Sequence, residues 1–160
     1  MDFFETLQAD REIDVKFWKK HPELHKQLVD DAYQHKAHFI YELLQNAEDA
    51  RASSVVFQLY GDRLEFRHNG EKQFTESDID AITDVSKSGK TDADETIGRF
   101  GIGFKSVFQY TETPHIYSGP YAFKIRDFVY PERIPMIEGL ESDTLFVFPF
   151  DRPSKAPSEA

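Results

Sequence analysis

Apolar positions recur at helical spacing over the first part of the chain. Between residues 2 and 35 they fall into three groups that each suit one face of a helix. The groups are Phe3, Phe4 and Leu7, then Val15, Phe17 and Trp18, then Leu24, Leu28 and Ala32. Pro22 is typical of a helix start, because the N–H that proline lacks has no partner in a first turn. The pattern predicts an N-terminal helical segment over 1–35, with a new helix from Pro22.

A further helix, predicted over about 36–51, mixes apolar and polar side chains closely. In YELLQNAEDA, residues 41–50, Glu42, Asn46 and Asp49 are spaced by four and three and so form one stripe. An amide oxygen suits Mg²⁺, and a carboxylate can polarise a water molecule. A charged stripe is more often the solvated face of an amphipathic helix. Periodicity alone leaves both interpretations open.

Alternating positions then predict a hairpin and further strands. Apolar residues alternate on both sides of the turn at 61–62, and HIYSG, YAFKIRDFVY and TLFVFPF are similarly strand-like. A short helix is predicted from Thr75, its N-cap, with acidic residues in its first turn. Because helices and strands do not alternate regularly, a doubly wound sheet is disfavoured. The sequence predicts a two-layer α/β sandwich, with a mixed, mostly antiparallel sheet covered on one face by helices.

Composition narrows the classes of function. The chain has 160 residues, enough for one domain, and its 15 Phe predict a Phe-rich core. A net charge of −10 argues against binding a nucleic-acid backbone. Without cysteine, disulfides and thiolate metal sites are excluded. No apolar run suits a membrane span and the N-terminus lacks signal-peptide features, so we expect a cytoplasmic location. The tail over 151–160 is predicted to be disordered.

Three segments are candidates for contact with a ligand. In GRFGIGFKS, three glycines permit close approach to backbone N–H groups just before a helix, and Lys105 adds a positive charge. The polar loop SKSGKT, residues 86–91, could close on phosphates through Lys87 or Lys90. His68-Asn69-Gly70 ends a strand and could contact a base, although Asn-Gly is more commonly a turn. Each of these signals is weak when taken alone.

The order of these motifs resembles one family. ELLQNAEDA, HNG, the SGKT loop, GRFGIGFKS and a strand entered through Thr144 are similar to the GHKL ATPases, which share the Bergerat ATP-binding fold. This group includes gyrase, a heat-shock chaperone, histidine kinases and MutL. HNG and IGRFGIGFKSVFQYT look most like the sacsin-type N-terminal branch. The resemblance spans about residues 37–150 and implies an ATP-binding domain over 36–150.

The resemblance implies roles by position. Glu42 matches the carboxylate that activates the attacking water, Asn46 the Mg²⁺ ligand, and Asp49 a polar residue of the nucleotide pocket. Residues 86–97 match the ATP lid, which contains Lys90. The remaining positions match the phosphate turn, the helix after it, and the threonine at the adenine end. They are Gly98, Phe100, Gly101, Gly103, Phe104, Lys105 and Thr144.

The chain departs from the family pattern at the end of the hairpin. Most GHKL members place an Asp there to accept a hydrogen bond from the adenine amino group. Here either His68 or Asn69 takes that position, depending on whether the strand or the following helix is used for alignment. Neither carries the Asp charge, which would weaken adenine binding by roughly ten-fold or alter base preference.

The expected function is ATP and Mg²⁺ binding with slow hydrolysis, used as a conformational or dimerisation switch within a larger protein. Nucleotide-dependent self-association, or contact with other domains, is the expected partnership. One alternative is a nucleotide-gated binding module with little or no hydrolysis. A second is a protein-interaction domain without nucleotide, in which the stripe on the helix is simply solvated.

Overall fold

The computed structural model describes residues 1–33, 38–84 and 102–152. Its helices are α1 (Phe3–Lys20), α2 (Pro22–Tyr33), α3 (His38–Asp49), α4 (Glu76–Ile82) and a 3₁₀ helix (Ile102–Gln109). Its strands are β1 (Val55–Leu59), β2 (Arg63–His68), β3 (His115–Ser118), β4 (Tyr121–Arg126), β5 (Tyr130–Arg133) and β6 (Thr144–Pro149). The predicted helix starts at Pro22 and after Thr75 are both present.

Local hydrogen bonds explain where these helices begin. Asp2 and Glu5 form a capping box at α1, and Thr75 and Asp78 form another at α4. In each box a side chain accepts from a backbone N–H that the first helical turn would otherwise leave unpaired. The two helices are therefore fixed at their N-termini by residues within four positions of one another.

The strands form a six-stranded sheet in the order β1-β2-β6-β3-β4-β5. Every neighbouring pair within the described ranges is antiparallel, so the two-layer sandwich is confirmed and its sheet is antiparallel rather than mixed. The β2–β6 register pairs Phe66 with Phe146 and His68 with Thr144. Directly paired residues point to the same face, so His68 and Thr144 lie on the face that carries the aromatic core.

The core between the layers is rich in Phe, as composition predicts. The largest side chains that are fully buried include Phe66, Phe104, Phe123, Phe146 and Phe148. The N-terminal helix shares this core, since the Phe4 ring lies 5.6 Å from that of Phe123. Helix α1, the first part of the segment predicted over 1–35, therefore packs on the sheet.

Two buried cations hold the C-terminal end of α4. Lys105 Nζ donates to the carbonyl of Ile82 at 2.7 Å and to that of Phe128 at 3.4 Å. Arg11 Nη2 donates to the Asp80 carbonyl at 2.9 Å and to its carboxylate at 2.6 Å. Cations at a helix C-terminus satisfy its free carbonyls and oppose the negative end of the helix dipole. This cluster of Arg11, Lys105 and the end of α4 is called the α4 clamp.

The described helices include none that is both long enough and apolar enough to span a bilayer.

Candidate functional site

The polar stripe of α3 borders its buried face. Phe39, Leu43 and Ala47 are buried against the core. Glu42, Asn46 and Asp49 are all of intermediate burial and lie along one flank of that face, since they are four and three positions apart. An isolated solvated stripe would be exposed throughout. These side chains instead lie at the junction between the helix and the rest of the domain.

The end of α3 is fixed by a Schellman motif. Ala52 N donates to Ala47 O, and Arg51 N to Glu48 O, each at 2.9 Å. Arg51 occupies the left-handed region, with φ of 64°. This is the C′ position of the motif, where glycine is the usual residue. The strained arginine therefore stops the helix directly after Asp49 and turns the chain toward β1.

A row of buried polar side chains crosses the sheet beneath this helix end. His68 on β2, Thr144 on β6 and Ser118 on β3 are 2%, 1% and 0% exposed, respectively. The Ser118 and Thr144 hydroxyl oxygens are 2.7 Å apart, and Phe74 N donates to Ser118 Oγ at 2.9 Å. We call these three side chains the polar row. They replace apolar residues at the end of the core.

Gly70 brings α3 against the polar row. A Cβ atom placed on Gly70 would lie 2.6 Å from Ala50 Cβ and 3.0 Å from His68 Cε1. Only a residue without a side chain fits between these groups. Glu71 N also donates to Ala50 O at 2.7 Å. The end of α3 and the end of β2 are therefore held in direct contact.

A cavity of about 410 Å³ opens at this junction. Its walls come from the end of α3 and from the segment between β2 and α4. The lining residues are Asn46, Glu48, Asp49, Ala50, Arg51, Lys72, Gln73, Phe74 and Asp78. The volume is within the range of small-molecule sites. Two of the three stripe residues, Asn46 and Asp49, thus face one cavity.

Two buried polar atoms, one at the end of α3 and one at the end of β2, lack a hydrogen-bond partner among the described residues. They are Asp49 Oδ2 and His68 Nε2. Asp49 uses its other oxygen, Oδ1, to accept from Gln45 Nε2 at 3.2 Å. Buried polar groups are almost always paired, so each exception requires an explanation. A ligand that enters the cavity is one such explanation.

His68 and Asn69, the two candidates for the base-contacting position, differ in burial and in hydrogen bonding. His68 is buried in the polar row. Asn69 is exposed, and its Oδ1 accepts from the N–H groups of Ser53 and Ser54 at 2.9 and 3.0 Å. Asn69 Nδ2 also donates to Ser53 Oγ at 2.8 Å. Asn69 therefore fixes the loop between α3 and β1, which leaves His68 as the candidate, although it is not among the residues that line the cavity.

The structure differs from the prediction at the start of the 3₁₀ helix. The sequence predicted that Lys105 stabilises the phosphates, and the resemblance implied that Phe104 and Lys105 begin the helix after the phosphate turn. Lys105 is 1% exposed and its ammonium belongs to the α4 clamp. Phe104 is fully buried, with its ring centroid 6.4 Å from those of Phe146 and Phe148. The backbone of Gly103 lies within this helix, whereas Lys90, Gly98, Phe100 and Gly101 lie outside the described residues.

Sequence reasoning missed Ser118, Gln73 and Phe74. Ser118 reaches Thr144 because β3 and β6 are neighbours, although the two residues are 26 positions apart. Gln73 and Phe74 line the cavity because the chain after Gly70 folds back over α3. Hydrophobic periodicity is a local signal and contains no information about strand neighbours. No pattern in the sequence could have identified these three residues.

The donor set suits a metal ion that is bound together with phosphate. Within residues 1–33, 38–84 and 102–152, no cluster of three His, Cys, Asp or Glu side chains could hold a metal by itself. Mg²⁺ usually takes one or two protein oxygens and completes its shell with water and substrate phosphates. Asn46 and Asp49, which line the cavity, carry side-chain oxygens of this kind.

Residues 64–132 match the family model described as the Sacsin domain. The chain is 36% identical over 102 residues to Protein NO VEIN from Arabidopsis thaliana, covering 61% of the chain and 4% of that protein. It is 36% identical over 106 residues to human Sacsin, covering 54% of the chain and 2% of that protein. These matches support a sacsin-type domain that spans a small part of the length of either relative.

A solved structure shares the fold. The N-terminal domain of a DNA repair protein superposes with a TM-score of 0.52 at 19% identity, covering 79% of this chain and 38% of that one. At this level of identity the likeness concerns architecture alone. It agrees with a sandwich of helices on a sheet.

Proposed function

We propose that this sacsin-type domain binds ATP with Mg²⁺ in the cavity at the end of α3, and hydrolyses it slowly as a switch within a larger protein. One observation carries the proposal. The half-buried Asn46 and Asp49 line a cavity of about 410 Å³, and one carboxylate oxygen of Asp49, the buried Oδ2, has no hydrogen-bond partner among the described residues. The GHKL resemblance supplies the identity of the ligand.

The residues around the cavity suit separate parts of such a ligand. Asn46 and Asp49 would offer oxygens to the metal, and we assign the base to the side of the cavity where Phe74 donates to Ser118 of the polar row. When bound, Mg²⁺ would neutralise phosphate charge. Neutralisation by a metal ion is needed because the chain carries a net charge of −10 and a triphosphate adds further negative charge.

Glu42 is the residue we assign to turnover. It lies one turn before Asn46 on the same flank of α3 and is half-buried. From there its carboxylate would orient a water molecule for attack and accept its proton. Leu43, which is fully buried, fixes the helix from which Glu42 projects. The rigid helix thus holds the base in one position.

A nucleotide-gated module without appreciable hydrolysis is the second candidate. Lys105, the cation expected beside the phosphates, is held by the carbonyls of Ile82 and Phe128. In this arrangement the phosphates lack one source of charge stabilisation, which turnover needs more than binding does. Closure on the nucleotide would then drive self-association or contact with neighbouring domains.

Glu42→Ala separates these possibilities. We expect nucleotide affinity, measured by calorimetry with ATP and Mg²⁺, to change less than three-fold, while phosphate release falls by at least 100-fold, on the order of the loss of a general base. Glu12→Ala is the control, since Glu12 is exposed on α1. Equal phosphate release in both variants would remove the assignment of Glu42. Binding without release in the wild type would favour the second candidate.

A further inference from the structure

The two edges of the sheet differ in how they are protected. β5 is a short strand that contains Pro131 and two charged residues, and Arg133 pairs with Asp2 at the start of α1. Gln8 Nε2 on α1 also donates to the Pro131 carbonyl at 2.9 Å. Proline, charge and a covering helix are features that keep another strand from adding to the edge of a sheet. The β5 edge is therefore closed.

β1, at the other edge, has neither proline nor charge. Its sequence is VVFQL, and β2 is the one strand that pairs with it among those that the structure describes. Val55, Phe57 and Leu59 pair with buried residues of β2 and so lie on the core face, yet they are 40%, 38% and 59% exposed. An exposed apolar edge of this kind is a template for a further strand.

The backbone of β1 offers hydrogen-bonding groups at the same three positions. Tyr60 N donates to Arg63 O at 2.8 Å, and Asn69 N donates to Ser54 O at 3.4 Å. In an antiparallel ladder, every second residue directs both its N–H and its C=O to the same neighbour. The even-numbered positions from 54 to 60 therefore bond to β2. The odd-numbered positions 55, 57 and 59 direct their N–H and C=O groups outward, where no described strand meets them.

We propose that two copies of this domain associate, without nucleotide, by pairing their β1 strands antiparallel about a two-fold axis at Phe57. The middle residue of the strand is itself an outward-facing one, so this axis sets Phe57 opposite Phe57 and Val55 opposite Leu59 of the second copy. Each such pair exchanges two backbone hydrogen bonds. All the outward groups of β1 are thereby paired, and the exposed apolar side chains of the two copies meet on one face. The two six-stranded sheets become one continuous sheet.

The charges on the other face of the sheet favour a second copy over an unrelated apolar peptide. Val56 pairs with Arg67 on β2, and Gln58 pairs with Glu65. Because the axis sets Val56 opposite Gln58 of the second copy, Arg67 lies in line with Glu65 of that copy, across a seam without charge. Both side chains also have ion-pair partners within their own chain, so this match serves to fix the register more than to add affinity. An unrelated peptide would lack it.

Sedimentation velocity of the wild-type protein, in the absence of nucleotide, tests this inference. A seam of one strand pair is smaller than a standard interface, so we expect a dissociation constant on the order of 10 µM. The mass should rise from the 18.6 kDa of one chain toward twice that value as the protein concentration passes through this range. The mass of a single chain at every concentration up to about 200 µM would overturn the inference and leave the proposed nucleotide site standing.

Leu59→Lys places a lysine on the edge strand, where it hinders the pairing of strands. The control, Ile13→Lys, makes a similar exchange at a position of α1 that is 68% exposed. Both changes reduce the net negative charge equally, so a general effect of charge cannot separate the two variants. We expect Leu59→Lys to raise the dissociation constant by at least about ten-fold and Ile13→Lys to leave it unchanged. Equal dissociation constants in the two variants would contradict the inference.

Hydrogen exchange of the wild type, resolved to single amides, locates the seam and decides the matter if Leu59→Lys fails to fold. The amides of Val55, Phe57 and Leu59 should exchange more slowly as the concentration rises from about 1 to about 200 µM, since they become bonded in the dimer. The amides of Val56 and Gln58, which are bonded to β2 in either state, should change far less. Slower exchange on another surface, with these three amides unaffected, would place the contact elsewhere and overturn the inference.

Discussion

The C-terminal ends of α3 and α4 both gather buried polar side chains, yet they satisfy them differently. In the α4 clamp, Lys105 donates to two backbone carbonyls and Arg11 to the carbonyl and carboxylate of Asp80, so both side chains have hydrogen-bond partners. Beside the end of α3, Asp49 Oδ2 and His68 Nε2 are buried without partners among the described residues. A buried polar group costs more stability when it is left unpaired than when it has a hydrogen-bond partner. The first set therefore serves the fold, and the second is available to a ligand.

Lys105→Met should give the largest effect on the fold side of this comparison. Methionine fills a similar volume, but the carbonyls of Ile82 and Phe128 lose their donor. We expect the free energy of unfolding in urea to fall by about 2 kcal/mol. Lys16→Met, at an exposed position on α1, is the control and should change it by less than about 0.5 kcal/mol. Equal stability of the two variants would mean that the clamp does not stabilise the domain.

The difference in stability between the wild type and Lys105→Met should also depend on pH. Burial lowers the pKa of Lys105 to about 7, with Arg11 adding to the effect. Unfolded lysine keeps its proton up to about pH 10.4, so between these values the unfolded state binds more protons. The stability of the wild type relative to Lys105→Met should therefore rise with pH above 7, by at most about 1.4 kcal/mol per unit. Urea unfolding at pH 7, 8 and 9 measures this, and a constant difference would contradict it.

Asp49→Asn tests whether the unpaired group at the end of α3 binds the ligand. Asparagine keeps the oxygen that accepts from Gln45, and the atom it changes is the one without a partner. We expect the free energy of unfolding to change by less than about 0.5 kcal/mol, while ATP affinity with Mg²⁺ falls about ten-fold. Asp10→Asn, on an exposed position of α1, should change neither. A stability loss as large as that of Lys105→Met would remove the distinction between the two helix ends.

Arg51→Gly should give the smallest change in the free energy of unfolding, and this change should be an increase. Arg51 has a φ of 64°, a conformation that costs a residue with a side chain about 1 kcal/mol. Glycine removes that strain, so the free energy of unfolding should rise by up to about 1 kcal/mol. Arg51→Ala removes the same charge but keeps the strain, and should show no gain. If both variants gain equally, the strain at the end of α3 is not the cause.

Local sequence patterns predicted the elements well and part of the site. The spacing of Glu42, Asn46 and Asp49 places them on one flank of α3 because a helix fixes side-chain directions by itself. The polar row could not be predicted from local spacing. His68 and Thr144 are 76 positions apart and meet through the register of β2 and β6. Only the resemblance to a family indicated Thr144, and nothing indicated Ser118.

At Lys105 the sequence pattern suggests a contact that differs from the one the side chain makes. Beside a Gly-rich turn, a lysine at a helix start suggests phosphate contact, because free N–H groups and positive charge coincide there. Its actual acceptors, the carbonyls of Ile82 and Phe128, each lie 23 positions away. A backbone carbonyl is the same in every residue, so a composition or motif cannot reveal which carbonyls will be left unpaired and need a donor.

Gly70 has a consequence for how the chain can vary. It contacts no ligand in any role proposed for this domain. Yet a single added methyl group would lie 2.6 Å from Ala50 Cβ and 2.9 Å from Ala50 O, and would force the end of α3 away from His68. In a scan of all substitutions, we expect position 70 to tolerate as little change as Glu42. Position 70 therefore sets the width of the cavity by allowing two backbone segments to approach each other closely. Neither the chemistry nor the charge of the residue at that position would indicate this role.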